Sequence, residues 1–165
     1  MQPLNPAPLR PRRILALLGW LFVCFLVAAV STVITAPAIP TWYAALAKPS
    51  FNPPNQLFGP VWTALYALMA CAAWMVWKAP DSRRRSRGLL LFCIQLALNF
   101  AWSLIFFRLH QIAAAAAEIL LLWLAILLTL LAFFPIRRLA GWFLVPYLCW
   151  VTFAGVLNFA ILQRN

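Results

Sequence analysis

Three apolar stretches of the chain carry polar groups and large rings at helical spacing, and these residues have the chemistry to explain. Gln95, Asn99 and Ser103 recur every four residues, with Trp102 beside Asn99 on the same broad face. Positions three and four apart are neighbours on a helix surface, so this stripe sets amides and a hydroxyl next to an indole. Tyr147, Trp150, Ala154 and Asn158 make a second stripe, in which Ala154 leaves room beside the ring of Trp150. Phe58, Trp62, Tyr66 and Met69 make a third. Aromatic walls with a few placed hydrogen-bonding groups are what a flat, largely apolar ligand needs. The competing reading is structural, because amides on facing helices satisfy one another in lipid. Trp20, Trp74, Trp77 and Trp142 stand near the ends of apolar runs and read as an interfacial belt. Trp62, Trp102 and Trp150 stand deeper, on the polar stripes, where a pocket explains them better than a belt does.

Thermal catalysis lacks its usual parts. The chain has one histidine, His110, and two carboxylates, Asp81 and Glu118, too far apart in sequence to suggest a pair. No nucleophile with an adjacent base is apparent, so acid/base and hydrolytic chemistry are not predicted. Cys24, Cys71, Cys93 and Cys149 each fall in a separate apolar run without CxxC spacing, and read as buried small hydrophobes. No metal site is predicted. Glu118 lies several residues into an apolar run after an alanine tract, and two readings stay open: a proton or cation site, or a carboxylate at the interface.

The elements that position these residues are transmembrane helices. With 66% hydrophobic and 9% charged residues, the composition departs from that of a water-soluble domain. A bilayer core needs about 20 apolar residues per helix, and five stretches qualify: 14–36, 57–77, 89–107, 112–134 and 140–162. The expected fold is all-α, a five-helix membrane bundle over 14–165 behind a basic, proline-rich tail over 1–13. The connection 37–56 is long and carries five prolines, so it is expected to be extended or turn-like and functional. Arg10, Arg12 and Arg13 followed by an apolar run and Ala36-Pro37-Ala38 imitate a signal peptide; the run is too long for that, and four more spans follow.

The net charge of +11 could suggest nucleic acid, but the cations cluster in the gaps between spans, and no nucleic-acid partner is predicted. With five spans, the tail and the second and fourth connections share one side and hold ten Lys and Arg; Lys48, Arg108 and Arg164 lie on the other. That asymmetry predicts a cytoplasmic amino terminus with the long loop on the opposite side.

Three blocks carry a family resemblance: WYAALAKPSFNPPNQLFGPVWTALYALM over 42–69, QLALNFAWSLIFF over 95–107 and PYLCWVTFAGVLNFAIL over 146–162. Their WY, KP, PP and LN pieces stand in order on the right elements, and the chain resembles the translocator protein family, also called tryptophan-rich sensory protein or peripheral benzodiazepine receptor. The resemblance implies a homodimeric five-helix bundle with a pocket opening toward the long first loop. It implies porphyrin or haem as ligand, with no cofactor required, and binding of isoquinoline carboxamide and benzodiazepine drugs. Carried over by position, the pocket would use Tyr43 and Pro53 from the loop, and Trp62 and Tyr66 from the second helix. The third helix would add Asn99, Trp102 and Ser103, the fourth Ile119 and Leu122, and the fifth Trp150 and Ala154. The resemblance also implies sensing or transport of tetrapyrroles, or their light-dependent breakdown, in which Trp62 and Trp150 would take part. An ion-coupled exporter using Glu118 is the alternative. A sterol motif is incomplete: Leu157, Phe159 and Arg164 fit its spacing with Phe where Tyr is required.

Overall fold

A computed structural model describes residues 11–165; most of the amino-terminal tail, residues 1–10, lies outside the described residues. Five long helices account for most of it: α1 (Pro11–Thr35), α2 (Phe58–Trp77), α3 (Arg83–Ser103), α4 (Ile112–Phe133) and α5 (Arg138–Leu162). Each is long and apolar enough to cross a bilayer. In hydrocarbon every backbone N–H and C=O must find a partner inside the segment, which is why apolar runs of this length become helices. The third span starts well before residue 89 because Ser82 caps α3, its hydroxyl accepting from the Arg85 amide at 3.2 Å.

Helix contacts close a ring in the order α1, α2, α5, α4, α3 and back to α1. Its interior is filled by Met69, Phe92, Ile126, Phe133 and Leu144, all at most 1% exposed. α1 is the exception to this tight packing, since only Cys24 and Ser31 of its 25 residues are buried. Leucines and phenylalanines on the outer faces of α1, α3, α4 and α5 are exposed, as a lipid solvent allows. Close approach of α4 and α5 requires Gly141: a Cβ there would stand 2.7 Å from the ring of Phe134.

The connection 37–56 is not simply extended. Ile39–Tyr43 forms a wide helical turn, and Asn55–Leu57 a tight one leading into α2. Pro40 sits in the first turn of the former, where its missing donor is an orphan in any case. Lys48 knits this loop together, its ammonium donating to the carbonyls of Tyr43 (2.7 Å), Ala44 (3.1 Å) and Leu46 (2.9 Å). Asn165 holds it from the far end of the chain, exchanging hydrogen bonds with the backbone of Ala47 at 3.0 and 3.1 Å.

Two expectations are corrected. Of the four cysteines only Cys24 is buried; Cys71 is half-buried, and Cys93 and Cys149 are exposed on outer faces. An apolar environment that lies outside the bundle as well as inside gives a small hydrophobe no reason to turn inward. Trp20 is not a belt residue only, since its ring packs edge-on against Phe92 with centroids 5.5 Å apart.

Candidate ligand-binding site

A cavity of about 320 Å³ lies inside the ring of helices, roofed by the long loop. Trp62 and Tyr66 from α2 line it, as do Asn99, Trp102 and Ser103 from α3. Ile119 and Leu122 from α4 and Trp150 and Ala154 from α5 complete the wall, with Tyr43 reaching in from the loop. Pro53 is not among the lining residues; it lies beside Asn52, whose amide donates to its carbonyl at 3.2 Å. Asn52 in turn accepts from the Tyr43 hydroxyl at 2.8 Å, so this part of the loop orients Tyr43. Burial pushes the Tyr43 phenol above the usual tyrosine range, and the bond to Asn52 offsets part of that rise.

Helical spacing delivers the side chains, and hydrogen bonds across helices fix them. The Tyr66 hydroxyl donates to Asn99 Oδ1 at 2.5 Å, and Asn99 Nδ2 donates to the Tyr147 hydroxyl at 2.9 Å. One amide thus ties α2, α3 and α5 together, and all three residues are at most 3% exposed. Trp102 Nε1 donates to Asn158 Oδ1 at 3.1 Å, and Asn158 Nδ2 donates to the Ile112 carbonyl at 3.2 Å, which brings in α4. The structural reading of the polar stripes is met, and the amides Asn99 and Asn158 that bridge the helices also line the cavity. Gln95 is the exception. It is buried outside the lining, its Nε2 4.0 Å from Met69 Sδ and its Oε1 without a partner.

The walls are rings at contact distance. Trp62 lies 5.6 Å from Tyr66 and 6.2 Å from Tyr147 between centroids; Trp150 lies 6.0 Å from Phe58 and 5.6 Å from Phe153. Trp102 stacks on Phe106 at 5.2 Å, and Trp42 of the loop packs edge-on against the same ring.

Sequence reasoning missed one wall and part of another. α1 contributes Phe25, Ser31 and Thr32, and the turn after α3 contributes Phe106 and Phe107. The one signal available was the Ser31, Thr32, Thr35 cluster inside an apolar run. Thr32 and Thr35 bond to carbonyls of their own helix, whereas buried Ser31 Oγ, beside Tyr66, has no hydrogen-bond partner.

Glu118 is buried on α4 at 8% exposure, both carboxylate oxygens lack a partner, and it does not line the cavity. The sterol motif is split: Leu157 faces the cavity, while Phe159 and Arg164 line a separate groove between α4 and α5 on the outside of the ring.

Five spans around a partly open aromatic cavity define an integral, multi-pass membrane protein. The TspO/MBR family model matches residues 20–164, and the chain belongs to that family. It is 42% identical over 158 residues to the tryptophan-rich protein TspO of Chlorobaculum tepidum, covering 93% of this chain and 98% of the relative. Protein CrtK of Rhodobacter capsulatus is 38% identical over 152 residues, covering 92% and 94%. The human translocator protein is 39% identical over 126 residues, or 75% of each chain. This kinship supports a sensory or translocator role in a membrane.

Proposed function

We propose that the protein binds a flat, largely apolar ring ligand in the central cavity, a tetrapyrrole such as a porphyrin or haem, and couples its occupancy to sensing or translocation. The observation that carries this reading is the convergence of Trp62, Trp102 and Trp150 from three helices on one void. A cavity of about 320 Å³ is at the small end of the range that holds drug-sized ligands. A tetrapyrrole is larger than this void and would have to extend through its open side.

Protoporphyrin IX titrated into purified protein should quench tryptophan fluorescence saturably, and Trp150→Phe should weaken the binding. Unchanged affinity in Trp150→Phe and in Trp62→Phe would remove the cavity as the binding site.

Light-dependent porphyrin breakdown is the second reading. The indoles of Trp62 and Trp150 line the same void, within reach of a ring held there. Product formation under illumination that is lost in Trp62→Phe would support it, and bleaching at the rate of free porphyrin would remove it. Export coupled to Glu118 gains nothing from the geometry, because that carboxylate does not line the cavity.

A further inference from the structure

The end of the bundle away from the long loop has a charge problem that nothing in the described chain solves. Two cations stand there at the start of α1 (Arg12, Arg13), one at the end of α2 (Lys78), four at the start of α3, and two at the start of α5 (Arg137, Arg138). One carboxylate, Asp81, is at the same end, and it is already paired with Arg85. Glu118 cannot help. It lies 15 residues from the end of α4 at Phe133, about 22 Å along the axis at 1.5 Å per residue.

Arg13 and Lys78 come from different elements and meet around Trp74, with Arg137 near enough to repel the Lys78 ammonium. Trp74 Nε1 donates to the Arg13 carbonyl at 2.8 Å, which pins the start of α1 to the end of α2. The Lys78 ammonium lies 3.2 Å from the centroid of the Trp74 ring, and Arg12 lies over Trp77 at 5.9 Å. Burial holds the Lys78 ammonium below the usual lysine range, and repulsion from Arg13 and Arg137 adds to that. α3 compounds the excess by placing arginines in its first turn, where the helix dipole disfavours cations.

We propose that this end seats the phosphate of an anionic phospholipid between Arg13, Lys78 and Arg137, with Trp74 and Trp77 against the start of the acyl chains. The tryptophans decide for a lipid over free phosphate. Indoles in this position belong at the level of the headgroups, and a soluble anion has no use for them. The proposal does not depend on which ligand occupies the central cavity.

The test uses the purified full chain in vesicles containing spin-labelled phosphatidylglycerol or phosphatidylcholine, with the motionally restricted fraction giving the relative association constant. Wild type should prefer phosphatidylglycerol at least about five-fold, the factor expected for one surface cation near an anionic leaflet. The R13Q/K78Q/R137Q variant should lose most of that preference. Arg108→Gln with Arg164→Gln at the opposite end should keep it. Should the triple variant fail to fold, Lys78→Gln alone should halve the preference or reduce it further. Equal binding of both lipids by wild type, a preference indifferent to Lys78, or displacement of the lipid by millimolar inorganic phosphate would each overturn the proposal.

Discussion

Removing the Asn99 side chain should cost more than its size alone suggests. Its amide accepts from Tyr66 at 2.5 Å and donates to Tyr147 at 2.9 Å, and all three groups are buried. Interhelical hydrogen bonds in membranes average about 0.6 kcal/mol each, which sets a floor near 1 kcal/mol for the pair. Asn99→Ala does more than delete two bonds. It strands the buried Tyr147 hydroxyl and leaves Tyr66 only the neighbouring Ser31 hydroxyl, and an orphaned buried polar group costs about 1–3 kcal/mol. The expected loss is therefore about 2–4 kcal/mol. It can be measured as the shift in unfolding free energy in a detergent titration followed by tryptophan fluorescence. The orphan argument has a second consequence. Tyr66→Phe and Tyr147→Phe, added to Asn99→Ala, should return part of the loss, because no hydroxyl is then left stranded. A loss under about 1 kcal/mol in Asn99→Ala would refute the reasoning. So would strictly additive losses in the triple variant.

The other perturbations are simpler. Gly141→Ala drives a Cβ into the Phe134 ring and should lower stability by about 1–3 kcal/mol, whereas Gly19→Ala, which meets open space, should raise it by about 0.5–1 kcal/mol; thermal unfolding in detergent separates the two. Tyr43 has a folded-state pKa above its unfolded value, so its contribution is complete below about pH 10 and is lost as pH rises from there through the raised value. The stability advantage of wild type over Tyr43→Phe should therefore hold at neutral pH and shrink in alkali, as read by melting temperature across a pH series.

Polar residues made the site legible, and solvent identity concealed the rest. Asn99, Trp102 and Asn158 stood out because a polar atom in an apolar run must be used somewhere, and each is hydrogen-bonded across helices. Phe25 and Phe106 gave no such sign. Lipid and protein interior are equally apolar, so nothing in the residue type says which side of a helix a phenylalanine faces. The same blindness put Cys93 and Cys149 inside when they face out. Proline content described the loop as extended, but proline is silent about the first turn of a helix, and Ile39–Tyr43 coils despite Pro40. Pro53 matched a motif yet does not line the cavity, since position in a motif does not say which loop residues turn inward.

The commitment of the cavity's amides and phenols to one another has a consequence for selectivity. Asn99, Tyr66, Tyr147, Trp102 and Asn158 already have the partners they need, so a guest lacking hydrogen-bonding groups leaves none of them stranded. Such a chamber makes few demands on functional groups beyond the unpartnered Ser31 hydroxyl, and is sensitive to thickness and outline. Unrelated chemotypes that share a planar frame should compete for it, ordered by how well their shape fills the slot between the indoles.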